Sequence, residues 1–210
     1  ESPNIGLKLP EVLTVEEIDR IIATVDRSKA EGQRNRAILE TLYSCGLRVS
    51  ELVNLKLSDL YFDEGFIKVE GKGNKQRLIP ISPRAINEIK LYFTDRNQIE
   101  VKSGHEDFVF ISLRRGKRLS RIMIFHMIKE LAQQASITKN ISPHTFRHSF
   151  ATHLLEGGAN LRAIQCMLGH ESIATTEIYT HIDRNMLRSE IIEHHPRNIK
   201  YRKEKESLFH

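Results

Sequence analysis

The chain has 210 residues, 40% of them hydrophobic and 28% charged, with 32 Lys+Arg against 27 Asp+Glu for a net charge of +5. Such a length buries a sizeable core as one domain with a small appendage, and the basic balance suits a polyanionic partner. No apolar run approaches the ~20 residues of a membrane span and no signal peptide is visible, so the expectation is a cytoplasmic protein with no membrane association.

Glu1 to Gly6 reads as a linker fragment, since no Met leads it. Thr14 with Glu17 three residues on is a capping box that opens a helix running to about Val25. Arg36 to Cys45 continues in helix, with Ile38, Leu39, Leu42 and Tyr43 at helical spacing, and Gly46 ends it. Arg48 follows at the mouth of another short helix, Ser50 to Leu55. That position suits a rigid cation as well as a simple helix cap. Glu51, one turn on, is placed to orient a cation. Cys45 and Cys166 sit inside apolar helical patterns and read as buried thiols rather than a disulfide.

From Asp59 to Ser82 the apolar period changes to two. Phe66–Glu70 and Gln76–Ile81 read as paired strands around Gly71-Lys72-Gly73-Asn74-Lys75. The glycines flanking Lys72 permit positive φ and a close approach to another backbone or a groove. Lysines in such a turn are commonly only solvated; an ammonium there is also able to protonate a leaving oxygen. Lys75 and Arg77 are alternatives for phosphate contact.

Pro83 opens a helix to about Asn97. Phe108–Ile111 is expected to be a short buried strand, and Arg114–Arg118 a basic turn suited either to solubility or to phosphates. Ser120 caps a helix to Ala135 carrying Ile124, Ile128 and Leu131 inward. His126 and Arg121 on that helix have no assigned side.

The richest stretch runs from Ser142 to Thr180. Ser142 and Pro143 start a helix in which His144 and Arg147 share a face, while Phe146, Phe150 and Leu154 bury another. Gly157-Gly158 stops it. A second helix carries Leu161, Ile164 and Leu168 and ends at Gly169, leaving His170 just beyond. Ser172 then caps a third helix that delivers Tyr179. Guanidiniums answer the charge of a phosphodiester with paired hydrogen bonds, and imidazoles donate to it or move protons. A phenol attacks phosphorus only if cations or a base favour its phenolate. Four such residues on successive elements point to scaffolded phosphate chemistry.

H-T-F-R-H-S-F-A-T-H-L-L, then L-G-H, then T-T-E-I-Y-T resembles the C-terminal signature of the tyrosine recombinases, the phage integrase family, and is most similar to the bacterial Xer type. G-L-R-V-S-E-L and G-K-G-N-K-Q-R extend the resemblance, which covers about Leu9 to Pro196. It implies a mainly α fold with a small antiparallel β-sheet (α+β). Residues 1–8 would be a linker remnant, 9–196 an excised catalytic domain, and 197–210 a disordered basic tail. That tail holds five Lys/Arg against two Glu. The implied activity is site-specific DNA recombination through a 3′-phosphotyrosyl intermediate, in chromosome-dimer resolution or in a mobile-element integrase.

The resemblance assigns the nucleophile to Tyr179, the phosphate clamp to Arg48 and Arg147, and a phosphate hydrogen bond to His170. It makes Lys72 the general acid, with Lys75 as runner-up, and His144 either a base or a phosphate contact. The partner would be double-stranded DNA, bound by a homo- or hetero-tetramer with the C-terminal helix (about Asp183 to His194) exchanged in trans. No cofactor or metal is implied: the sequence has no Walker-type loop, and His144, His148 and His153 lack a supporting carboxylate for zinc. A type IB topoisomerase and a non-catalytic DNA-binding module are the rival readings.

Overall fold

The computed structural model describes residues 11–169 and 184–208. Its organising element is helix α2, Gly32–Cys45, in which every residue from Ala37 to Cys45 is buried. A helix apolar on most sides has to be covered on most sides. Helix α1 (Val15–Thr24), α4 (Pro83–Arg96) and α6 (Pro143–Glu156) supply that cover. The polar groups that α2 buries all find partners: Thr41 donates to the Ala37 carbonyl, and Ser44 to the Ser82 hydroxyl. Glu40 meets Arg84 and Arg197.

The expected capping box holds. The Thr14 hydroxyl accepts from the Glu17 N–H and the Glu17 carboxylate accepts from the Thr14 N–H. Helix α2 begins four residues before the expected Arg36, because Arg34 and Gln33 are anchored to the Ile111 carbonyl and to Glu88. After Gly46 comes the short α3, Val49–Val53.

Strands β2 (Phe66–Glu70) and β3 (Gln76–Pro80) pair antiparallel as the alternation requires, with Val69 opposite Arg77. A third strand that the alternation does not show, β1 (Leu60–Tyr61), pairs with β2. The hairpin tip is a single 3-10 turn, Lys72–Asn74, with Gly73 at φ 70°. The mainly helical chain with one small antiparallel sheet is thus the α+β class expected.

Phe108–Ile111 is not a strand. Val109 donates to the Leu55 carbonyl and Ile111 to the Tyr92 hydroxyl, so loop and side-chain acceptors replace a ladder. Val109, Phe110 and Ile111 are buried all the same, and Phe108 is half-buried.

Helix α5 (Arg121–Gln134) is capped by Ser120, and α7 (Leu161–Leu168) by Asn160. Helix α8 (Arg184–His194) buries Leu187 and Ile191 within its own chain, against β3 and α7. A single chain therefore seats in cis the apolar pair for which docking in trans was expected.

The tail requires a correction. Pro196–Ser207 is helix α9 rather than disorder. Its charge suggested a solvated tail, but Arg197 is buried against Glu40 and Asp19, and that pairing anchors the first turn to α2 and α1.

Candidate active site

Three parts of the chain meet at one carboxylate. Glu51 stands on α3 with its side chain 2% exposed. Arg48, just before that helix, donates its backbone N–H to Glu51 Oε1 at 2.9 Å and holds a guanidinium nitrogen 3.8 Å from Oε2. Arg147, from α6, places Nη1 3.8 Å from Oε1. Arg77, from β3, grips both oxygens, with Nη2 3.0 Å from Oε1. Burial disfavours the charged form of Glu51, but Arg77, the Arg48 N–H and Arg147 outweigh it and hold the carboxyl below its usual range.

The three guanidiniums differ in depth. The side chain of Arg48 is 31% exposed, that of Arg147 is 11% and that of Arg77 is 7%. Arg48 therefore faces outward, Arg147 forms the wall beside it, and Arg77 lies beneath both. Arg147 is held by two carbonyls as well: Nη1 donates to Gly46 at 2.8 Å and Nη2 to Leu168 at 2.6 Å. Burial, then the neighbouring positive charge of Arg48, brings its pKa down to about 10, against the pull of Glu51. It stays charged near neutrality. Arg48 open to solvent with Arg147 in the wall beside it, over one buried anion, leaves net positive charge at the surface, which suits a phosphate.

The local sequence explains the convergence. Gly46 adopts φ +65°, and a Cβ there would lie 2.3 Å from the Phe150 ring, so only glycine lets α2 end against α6. That contact sets the Gly46 carbonyl over Arg147 and sends the chain directly into Arg48. Gly169, at φ +68°, ends α7 in the same left-handed conformation, close over the Arg77 guanidinium.

Of the candidate residues, the structure brings Arg48 and Arg147 together. His144 is exposed one turn before Arg147 on α6. Lys72 is exposed at the hairpin tip, and the base of that hairpin, Gly71, abuts Arg77 and Glu51. His170 and Tyr179 lie outside the described residues. Arg77 is displaced from its expected alternative role, because Glu51 and the Met167 carbonyl occupy its guanidinium. In β3 Arg77 and Ile79, two apart, are both buried, so the two-residue period is the signal that could have pointed Arg77 inward. A cavity of about 560 Å³ opens between the hairpin and α3, lined among others by Glu51, Asp59, Lys68 and Glu70. Its mixed charge distinguishes it from the arginine face.

Among the described residues no group of three or more His, Cys, Asp or Glu is placed to hold a metal. His153 is buried and shares a hydrogen bond with the Tyr43 hydroxyl at 2.7 Å, which takes it away from His144 and His148. Among the same residues no helix is long and apolar enough to cross a membrane.

Residues 11–186 match the model of the phage integrase family. The chain is 46% identical over 198 residues to the tyrosine recombinase XerD of Staphylococcus saprophyticus, and 44% identical to that of Staphylococcus aureus. In each case the match covers 94% of this chain and 66% of the relative, so the chain spans just under two thirds of their length. The crystal structure of the XerA recombinase superposes with a TM-score of 0.71 at 36% identity, covering 93% of this chain and 68% of that one. The XerH site-specific recombinase bound to its difH substrate, in a pre-cleavage complex, gives 0.69 at 28% identity over 83% of this chain and 51% of that one. With a family match over most of its length and the same fold as these recombinases, the chain belongs to the phage integrase family, the tyrosine recombinases.

Proposed function

We propose that this chain is the catalytic part of a site-specific recombinase that cuts and rejoins double-stranded DNA through a 3′-phosphotyrosyl intermediate. Residues 9–196 form the catalytic domain, with α9 packed against it. The observation that carries the reading is the placement of Arg48 and Arg147 over one buried carboxylate, with Arg48 open to solvent. The similarity to XerD, XerA and XerH recombinases supports it.

In this mechanism the Tyr179 oxygen attacks the scissile phosphorus as the bond to the 5′-oxygen breaks. Arg48 and Arg147 neutralise the non-bridging oxygens, a form of electrostatic stabilisation that typically contributes about 3–4 kcal/mol per donor. His170 donates to the same phosphate. His144 takes the phenol proton or contacts the phosphate. Lys72 gives a proton to the departing 5′-oxygen. The 5′-hydroxyl of a second strand then attacks the phosphotyrosine, and Tyr179 leaves with its proton restored. Phosphoester energy is conserved, so the cycle needs no nucleotide.

Subunits work on the duplex as a homo- or hetero-tetramer in the cytoplasm, and on assembly α8, which the single chain seats in cis, passes in trans to a neighbouring subunit. Chromosome-dimer resolution is the biological setting we favour, with a mobile-element integrase as the alternative within the same chemistry.

The test is a nicked duplex, selected from a random pool by binding to the wild-type chain, run on a denaturing gel. Wild type traps a covalent protein–DNA band and Tyr179→Phe does not. Absence of the band from wild type rejects the reading. Relaxation of supercoiled plasmid without strand exchange assigns the chain to topoisomerase chemistry instead.

A further inference from the structure

Arg77 is buried among the groups that hold Arg147. Its two Nη atoms occupy both oxygens of Glu51, and its Nε donates to the Met167 carbonyl at 2.9 Å. Arg147 rests on the same two bodies: Nη1 is 3.8 Å from the Glu51 carboxylate and Nη2 donates to the Leu168 carbonyl. The last turn of α7 thus presents successive carbonyls to two different guanidiniums. Helix ends carry unsatisfied carbonyls, and cations there are stabilising. Gly169 completes the arrangement, since a Cβ at that position would lie 3.1 Å from three atoms of the Arg77 guanidinium.

We propose that Arg77 is a positioning residue for the arginine pair. It never reaches the phosphate. It fixes two of the three surfaces against which Arg147 is seated, the Glu51 carboxylate and the C-terminal turn of α7, the Gly46 carbonyl being the third, and through Glu51 it also sets Arg48. A lysine cannot replace it, because an ammonium has no planar fork to span both carboxylate oxygens while a third donor reaches Met167. Arg77 stands on β3, which continues into the Lys72 turn, and Gly71 lies against its guanidinium. The strand therefore ties the hairpin to the same register. The functional consequence rests on Arg48 and Arg147 being the phosphate ligands.

The experiment compares wild type with Arg77→Lys on the nicked duplex, made once with a normal scissile phosphate and once with a methylphosphonate, which lacks the non-bridging charge that the arginines serve. Arg77→Lys is expected to bind the duplex within about threefold of wild type. It is expected to cleave the phosphodiester roughly 100-fold more slowly, the scale of a misplacement of about 1 Å. On the methylphosphonate the loss should shrink at least tenfold. An equal loss on both substrates, or no loss on either, overturns the proposal.

A DNA-free measurement separates this from the recombinase reading. Hydrogen exchange at the Arg147 guanidinium, followed by NMR, should accelerate at least tenfold in Arg77→Lys. Unchanged exchange overturns the positioning role, whereas a wild-type chain that never forms a covalent complex overturns only the recombinase reading. Should Arg77→Lys not fold, Arg77→Gln, which keeps the Glu51 carboxylate beside Arg48 and Arg147, is read by the same measurements.

Discussion

Arg197 lays its guanidinium along the carboxylate of Glu40, 157 residues earlier in the chain, with Nε 3.1 Å from Oε2. Both side chains are almost wholly buried. The pair joins the start of α9 to the middle of α2, and Asp19 of α1 takes a further guanidinium nitrogen at 2.6 Å.

Breaking that pair on one side leaves a buried anion short of its main partner. Truncation of one member of such a pair typically costs about 3–5 kcal/mol. Arg84 remains 3.3 Å from Glu40, so Arg197→Ala is expected near the lower end, about 3 kcal/mol. Urea unfolding checks this. A loss below about 1 kcal/mol would mean that α9 is not held by this contact.

His195 makes the same junction sensitive to pH. Its Nε2–H donates to the Tyr43 carbonyl, and its Nδ1 accepts the Arg197 N–H at the head of α9. Both nitrogens are used by the neutral ring. Burial lowers its pKa to about 4, only partly offset by the bond to the Tyr43 carbonyl, and the charges of Arg197 and His153 lower it further. The folded pKa lies below the unfolded value of ~6.5, so the unfolded chain binds the extra proton first. Stability is complete above pH ~6.5 and falls as pH drops toward 4, by about 3 kcal/mol from this group. His153, also lowered by burial, acts in the same direction. His195→Gln should flatten the dependence across that window in equilibrium unfolding; an unchanged slope would discount the role of His195.

Gly46 has no substitute. Alanine there would have to hold φ +65° and place a methyl group 2.3 Å from the nearest atom of the Phe150 ring. Backbone strain and overpacking together are expected to cost about 2–4 kcal/mol. A thermal melt of Gly46→Ala reads this, and a melting temperature equal to wild type would show that α2 and α6 tolerate separation.

Lys72 is tested through its leaving group. Proton donation by a positioned acid typically contributes about 10²–10⁴-fold. Lys72→Ala should lose that much on the normal duplex and almost nothing when the scissile 5′-oxygen is replaced by sulfur, since a thiolate departs without a proton. If sulfur restores Lys75→Ala rather than Lys72→Ala, the role moves to Lys75.

The α1 cap, the β2–β3 hairpin and the stretch carrying His144 and Arg147 were legible in the sequence because their causes are local. Thr14 caps with Glu17, the alternation from Phe66 to Glu70 shows a two-residue period, and Pro143 starts a helix whatever surrounds it. Arg48 was legible as a cation at a helix mouth, with Glu51 as its orienting partner. What the chain does with Arg77, Arg197, His153 and His195 was decided only in three dimensions. Each is a polar side chain whose burial is tolerable only beside a partner supplied from another element, and for three of the four that partner is more than 100 residues away. Sequence spacing records which residues share a face. The partner a buried charge finds on another element depends on how the helices pack, and that packing is set by the whole core at once.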